Sequence, residues 1–96
     1  MSTRICEAIK KRSLIRFCYD EEIRIVEPYV HGMSKQNNEV LRGFQTKSTS
    51  KSEVGWKLFK ISKISDLSIF SGQTFDQNRP NYNPDDEGMT TIHCHV

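Results

Sequence analysis

"LIRFCYDEEIRIVEPYV", residues 14–30, is the stretch that decides the fold. From residue 14 onwards the apolar pattern has a period of two, so Ile15, Phe17 and Tyr19 lie on one face of an extended segment. The acidic "DEE" at 20–22 interrupts the pattern, and "IRIVEPYV" at 23–30 resumes it. Two alternating runs joined by a short polar segment predict an antiparallel β-hairpin.

Within the hairpin, "RIVEP" at 24–28 places two opposite charges and a proline in an apolar strand. The period of two places Arg24 and Glu27 on opposite faces, so each charge needs its own partner. Arg24 is interpreted either as a ligand contact or as the partner of an acidic residue, such as Glu39. Pro28 cannot donate a ladder hydrogen bond, so we expect a bulge there in a long second strand that continues through "YVHGM".

The segments around the hairpin complete a mainly β chain with one N-terminal helix. "STRICEAIKKRS" at 2–13 is an amphipathic helix with Ile5, Cys6, Ala8 and Ile9 on or beside one face. Strands are predicted in "EVLRGFQ" (39–45), "GWKLFKI" (55–61) and "LSIF" (67–70), and a polar loop in "TKSTSKSE" (46–53). Five short antiparallel strands favour a small SH3-like or Sm-like five-stranded barrel, with the helix covering one opening.

The chain of 96 residues is long enough for one compact domain. Residues 1–75 are interpreted as that barrel domain with its helix, and residues 76–96 as an acidic, extended or partly disordered tail. Phe75 and Tyr82 are expected to pack on the barrel. No apolar run approaches the roughly 20 residues of a membrane-spanning helix, so no membrane partner is expected.

Three cysteines, Cys6, Cys18 and Cys94, are an odd number at unrelated spacings, which argues for reduced thiols. Together with an N-terminus that lacks the apolar segment of a signal peptide, they predict a cytoplasmic protein.

The charges are unevenly distributed along the chain. Residues 1–70 hold thirteen Lys or Arg against eight Asp or Glu, whereas residues 71–96 hold one Arg against four acidic residues. A basic body of this kind is compatible with an anionic ligand.

No pattern of residues supports catalysis. The chain has no G-x-S-x-G, no phosphate-binding glycine loop and no H-E-x-x-H, so we expect neither an enzyme nor a cofactor. In "HCH" at 93–95, only His93 and His95 lie on one face of an extended segment, and a complete metal site would need help from Cys6, Cys18 or a second chain. The simpler interpretation of this C-terminus is a strand or disordered segment without metal.

Several short motifs in this order resemble the WYL domain, a small SH3-like or Sm-like barrel frequent in bacterial transcriptional regulators and phage-defence proteins. The resemblance covers about residues 5–75 and rests mainly on "RIVEPY" and "FKISKI". Where the family has its tryptophan, tyrosine, leucine triplet, this chain has Glu39, Val40 and Leu41. Lysines stand where the family has strand-four arginines, which keeps the charge and loses the forked geometry.

The resemblance implies a regulatory module that binds single-stranded nucleic acid or a nucleotide-like anionic ligand. By position, the residues that would contact the ligand are Tyr19, Arg24, Arg42, Lys57 and Lys63. The alternative is a protein-interaction module that docks on a partner or forms a homodimer through an exposed strand.

Overall fold

The computed structural model describes residues 2–49 and 54–96. Its elements, in chain order, are α1 (Ser2–Lys11), β1 (Ser13–Tyr19), β2 (Glu22–Met33), β3 (Glu39–Ser48), β4 (Gly55–Lys60), a short 3₁₀ helix (Ile61–Lys63), β5 (Ser65–Thr74) and β6 (Thr91–His95). The fold is therefore mainly β with one helix. In the described part of the chain no helix is long and apolar enough to cross a membrane.

The strands form one antiparallel sheet in the order β4-β3-β2-β1-β5, and β6 pairs with the second half of β2. The β1–β2 hairpin predicted from residues 14–30 is confirmed, with Tyr19 opposite Glu22 and Ile15 opposite Val26. Strand β2 runs through Pro28, and its register with β3 shifts directly after this residue, between Pro28 and Val30. The expected bulge is thus present. Strand β6 is additional to the five predicted strands, and it confirms the strand that was one of the two interpretations of the C-terminal segment.

The sheet is strongly curled. Strands β4 and β5 lie at opposite ends of the strand order, and in a flat sheet four spacings of about 4.8 Å would separate them by about 19 Å. Only residues 61–64 join them, three of which are in a 3₁₀ turn, and such a segment spans about 13 Å. Consistent with this, the Phe59 ring of β4 lies 5.0 Å from the rings of Phe17 and Tyr19 on β1.

Closure into a barrel is not confirmed, because no pairing joins β4 to β5 within the residues that the structure describes. The strand at 39–45 extends through Ser48, so the first part of the polar loop expected at 46–53 is strand; residues 50–53 lie outside the described residues.

Two apolar clusters lie on the two sides of the sheet. The first contains the helix residues Ile5, Ala8 and Ile9 together with residues such as Phe17 and Phe59. The second is built around Tyr29 and includes Val30, Val40, Phe75 and Met89, with Phe44, Trp56, Tyr82 and Ile92 packed against it. Alternation along β2 places Val26 in the first cluster and Tyr29 in the second, and the bulge after Pro28 places Val30 in the second cluster as well. Residues 76–90 contain no helix or strand, and lie over the second cluster through Tyr82 and Met89.

Candidate functional site

Three of the five predicted ligand residues meet at the end of the β1–β2 hairpin, in what we call the Tyr19 cluster: Tyr19, Arg24, Phe59 and Lys63. The Arg24 guanidinium lies 5.3 Å from the centre of the Tyr19 ring, and the Lys63 ammonium also lies 5.3 Å from it. Two cations therefore converge on one aromatic ring. Cation–π attraction offsets part of their mutual repulsion.

Tyr19 itself belongs to the core and offers little surface to a ligand. Its side chain is 9% exposed, and its phenol oxygen accepts a hydrogen bond of 3.0 Å from the backbone amide of Lys60. Both cations lie over its ring. Only a small part of Tyr19 is therefore available for contact with a ligand.

Arg24 is held rigidly beneath the surface. It donates to Glu22 Oε2 at 2.6 Å and to Gln45 Oε1 at 3.1 Å, and its Nε is buried with no hydrogen-bond partner in the described residues. Its partners are Glu22, the first residue of β2, and Gln45 on β3, rather than Glu27 or Glu39. Sequence could not place Gln45 beside Arg24, because that contact depends on the β2–β3 register, which shifts between Ile25 and Val26.

Lys63 forms the exposed part of the cluster. Its ammonium lies 3.1 Å from Asp20 Oδ1, and both side chains are about half exposed, at 51% and 54%. The hydrogen bond to Asp20 raises the pKa of Lys63 above its ordinary value, so the ammonium is fully charged at neutral pH. Solvent screens a half-exposed pair of this kind, so a competing anion can displace Asp20 easily.

Lys57 and Arg42 lie on different faces of the sheet. Lys57 pairs with Gly43 and therefore shares the face of Leu41 and Phe59, the face of the Tyr19 cluster. Arg42 pairs with Leu58 and points to the other face, so it does not share a face with the other ligand residues that the resemblance implies. The sequence shows which residues of one strand share a face. It does not show how β3 is aligned with β4, and that alignment decides which residues of the two strands share a face.

Arg42 binds a carboxylate of the chain itself. Its Nε and Nη2 donate to the two oxygens of Asp86 at 2.6 and 3.1 Å, and the Gly88 amide donates to Asp86 Oδ1 at 2.8 Å. Burial raises the pKa of Asp86, but these hydrogen bonds outweigh burial and hold the pKa below its ordinary value. This forked pair fixes residues 86–88 on the sheet.

A cavity of about 290 Å³ opens beside this pair, between Arg42 and Trp56 on the sheet and residues 81–88 of the following segment. Its polar wall includes Asn81, Asn83 and Glu87, so the cavity presents amides and carboxylates more than cations. Such a wall does not favour a phosphate group.

Glu27, the second charge of "RIVEP", is buried on the face opposite Arg24, as the alternation predicts. Its two oxygens accept hydrogen bonds of 2.9 Å each from Arg79, whose guanidinium lies 4.5 Å from the centre of the Phe44 ring. The Arg79 amide donates to the Tyr29 hydroxyl at 2.9 Å. These contacts hold the segment after Phe75 against the second cluster.

The structure also assembles a group that the sequence pattern pointed to only in part: Cys6, His31 and Cys94. Cys6 and Cys94 form a disulfide, so the expectation of three reduced thiols was wrong for these two; Cys18 is free. The pairing joins α1 to β6, which both pack against β2, and no spacing in the sequence reveals it. The His31 Nδ1 lies 3.4 Å from the sulfur of Cys6 and 3.7 Å from that of Cys94.

His31 is the most deeply buried histidine of the chain, at 2% exposed. Burial lowers its pKa, so the imidazole is neutral at neutral pH. Of the two histidines that the sequence places on one face, His93 and His95, only His93 lies near His31, with 5.2 Å between the ring centres. The Nδ1 of His95 contacts the carbonyl oxygen of Val96 instead. Two features of the sequence pointed to part of the group formed by Cys6, His31 and Cys94. Cys6 lies beside the apolar face of the helix, and Cys94 alternates with His93 and His95.

Comparison of the chain with protein-family models, with curated proteins and with solved structures finds no match. The resemblance to WYL domains and the functional role it implies stay predictions.

Proposed function

We propose that this chain is a non-enzymatic regulatory domain of WYL-like type that binds single-stranded nucleic acid or a nucleotide-like ligand through phosphate groups at the Tyr19 cluster. The observation that carries the proposal is the convergence of Arg24 and Lys63 on one ring at 5.3 Å each. The strand order, with β1 between β2 and β5, is compatible with an open SH3-like or Sm-like sheet, which is part of the same proposal.

Two carboxylates, one in the β1–β2 turn and one at the start of β2, already contact both cations of the cluster. Glu22 contacts Arg24 and Asp20 contacts Lys63, which indicates that oxygen anions fit there. Replacement of Asp20 by a phosphate oxygen exchanges one weak exposed contact for another with more charge. Lys57, on the same face, extends the positive surface along β4. A cytoplasmic location is part of the same proposal, but the cysteines no longer support it, because Cys6 and Cys94 form a disulfide.

The test is fluorescence anisotropy with labelled single-stranded RNA and DNA at low and moderate salt. We expect binding to weaken as salt rises, because phosphate contacts release counterions. In the variant Lys57→Glu/Lys63→Glu, loss of two phosphate contacts should make the slope of log affinity against log salt shallower by about 1.4. The matched control is Lys10→Glu/Lys35→Glu, which changes the net charge equally at two exposed positions elsewhere.

The proposal is overturned if the wild-type chain binds neither nucleic acid at low salt and no nucleotide shifts its melting temperature. Equal binding by the site variant and by the control, both shown to be folded by circular dichroism, would mean that the Tyr19 cluster is not the site.

A second candidate function, protein interaction or homodimer formation through a strand edge, is favoured by the open sheet. The outer edges of β4 and β5 carry no partner strand in the described residues, and Leu58 on β4 is a large apolar side chain that is 39% exposed. Open edges of this kind accept a strand from a second chain. Light scattering coupled to gel filtration tests it: a concentration-dependent dimer that Leu58→Lys abolishes supports this function, and a monomer at all concentrations excludes the homodimer.

A further inference from the structure

Histidine 31 is buried among sulfur atoms without a conventional hydrogen-bond partner. Among residues 2–49 and 54–96, its Nδ1 has hydrogen-bond-range contacts with the sulfurs of Cys6 and Cys94 alone, and its Nε2 is buried with no partner. An apolar side chain at this position would avoid the cost of burying an unsatisfied imidazole, about 1–3 kcal/mol. The choice of histidine therefore indicates a role for Nδ1 that the disulfide alone does not explain.

The ligand atoms of Cys6, His31 and Cys94 all lie within 4.8 Å of one another. Two thiolates and an imidazole are the donors that Zn²⁺ prefers in proteins. In a tetrahedral zinc site with Zn–S near 2.3 Å and Zn–N near 2.05 Å, a sulfur and a nitrogen ligand are about 3.5 Å apart. The observed sulfur to Nδ1 distances of 3.4 and 3.7 Å match this value.

Only the two sulfurs must separate for a metal ion to enter, to about 3.8 Å in a tetrahedral site. His93 is the candidate for the fourth ligand. It lies where the register of β2 with β6 shifts, between His31 and Gly32, and its ring centre is 5.2 Å from that of His31. A rotation of the exposed His93 side chain brings a ring nitrogen toward the cluster.

We propose that reduction of the Cys6–Cys94 disulfide converts this cluster into a zinc site in which Cys6, Cys94, His31 and His93 bind the metal. In the first step a dithiol reductant gives two electrons and two protons to the disulfide, which yields two thiols and the oxidised, cyclic form of the reductant. In the second step Zn²⁺ binds both sulfurs and the two imidazoles, and the two thiol protons are released to water. Disulfide and zinc are alternative links between α1 and β6.

The experiment uses the untagged full chain, reduced with a phosphine that is then removed under nitrogen. We expect it to bind about one Zn²⁺ per chain in a titration against a chromophoric chelator, and Co²⁺ to give the intense visible absorption of a tetrahedral thiolate site. Cys94→Ser and His31→Leu should lose this absorption. Cys18→Ser, which removes the free cysteine, is the matched control and should bind as the wild type does.

His93→Ala tests the fourth ligand and has its own control in His95→Ala. Loss of an outer-shell partner already costs about 10–100-fold in metal affinity, so loss of a ligand should weaken zinc binding by at least about tenfold in the first variant. The second variant should bind zinc as the wild type does. Equal zinc affinity of the two variants overturns the assignment of His93.

A measurement on the wild-type chain tests the proposal even if the variants fail to fold. Zinc should slow alkylation of Cys6 and Cys94 in the reduced protein and leave that of Cys18 unchanged, as read by mass spectrometry of the peptides. If the reduced chain unfolds, zinc should restore its circular dichroism. The proposal is overturned if the reduced chain takes up no stoichiometric zinc, whether folded or not, or if zinc protects Cys18 as strongly as the other two cysteines.

Discussion

Removal of the Arg79 side chain should destabilise the whole domain, because Arg79 neutralises a buried carboxylate. Glu27 is only 5% exposed, whereas the Arg79 side chain is 42% exposed, so the pair lies between a surface and a buried salt bridge. Breaking a fully buried pair costs about 3–5 kcal/mol and a surface pair about 0–1, which places this one near 2 kcal/mol. The contact with the Phe44 ring adds about 0.5–1 kcal/mol.

For Arg79→Met we therefore expect a loss of about 2–3 kcal/mol in the free energy of unfolding. At a urea dependence of about 1.5 kcal/mol per molar, the unfolding midpoint falls by roughly 1.3–2 M. The single tryptophan gives a local reading, since the indole N–H of Trp56 donates to the carbonyl of Pro80, next to Arg79, at 2.8 Å. Its fluorescence should shift to the red when that segment leaves the sheet.

The matched control is Lys35→Met, which also removes an exposed positive charge and should change stability by less than about 0.5 kcal/mol. A double-mutant cycle with Glu27→Gln separates the pair from the rest of the Arg79 contacts, and we expect a coupling energy of about 1.5 kcal/mol. A coupling below about 0.5 kcal/mol would refute the argument that Glu27 depends on Arg79.

Three further predictions concern stability. Reduction of the Cys6–Cys94 disulfide, whose cysteines are 88 residues apart, should cost about 4–5 kcal/mol in metal-free buffer, as measured by urea unfolding with and without reductant. The folded-state pKa of Asp86 is lowered, so its contribution is present above the unfolded-state pKa and lost as pH falls through the folded one. As the pH decreases below about 4, the urea midpoint of the wild type should therefore decrease, and that of Asp86→Asn should decrease less steeply. Glu21 has φ 65° in the two-residue β1–β2 turn, where glycine fits without a Cβ clash, so Glu21→Gly should raise the unfolding free energy by about 0.5–1 kcal/mol in the same assay.

The fold was predictable where the signal is local. Alternation over residues 14–30 gives the hairpin, its two faces and the opposite burial of Arg24 and Glu27, because side-chain direction in a strand depends only on position along the strand. The irregularity at Pro28 follows from its missing N–H. Strand β6 was harder to recognise, since "TIHCH" carries little apolar pattern and becomes a strand by pairing with β2.

The candidate sites depended on contacts between distant segments. The resemblance to WYL domains implies Tyr19, Arg24 and Lys63 as ligand residues, and the structure brings these three together. It implies Arg42 as well, but the register of β3 with β4 places Arg42 on the other face. The partner of Glu27, Arg79, comes from a segment 52 residues away in the chain, and no pattern of charges identifies it.

The sequence by itself determined the helix, the hairpin, the alternation of faces and the types of chemical group available, because each is governed by interactions over a few residues. Only the tertiary structure decided that α1 and β6 meet on β2, which joins Cys6, His31 and Cys94 into one cluster. The physical reason is that cross-strand register and the curl of the sheet are set by packing of the whole core, which no short window of sequence contains.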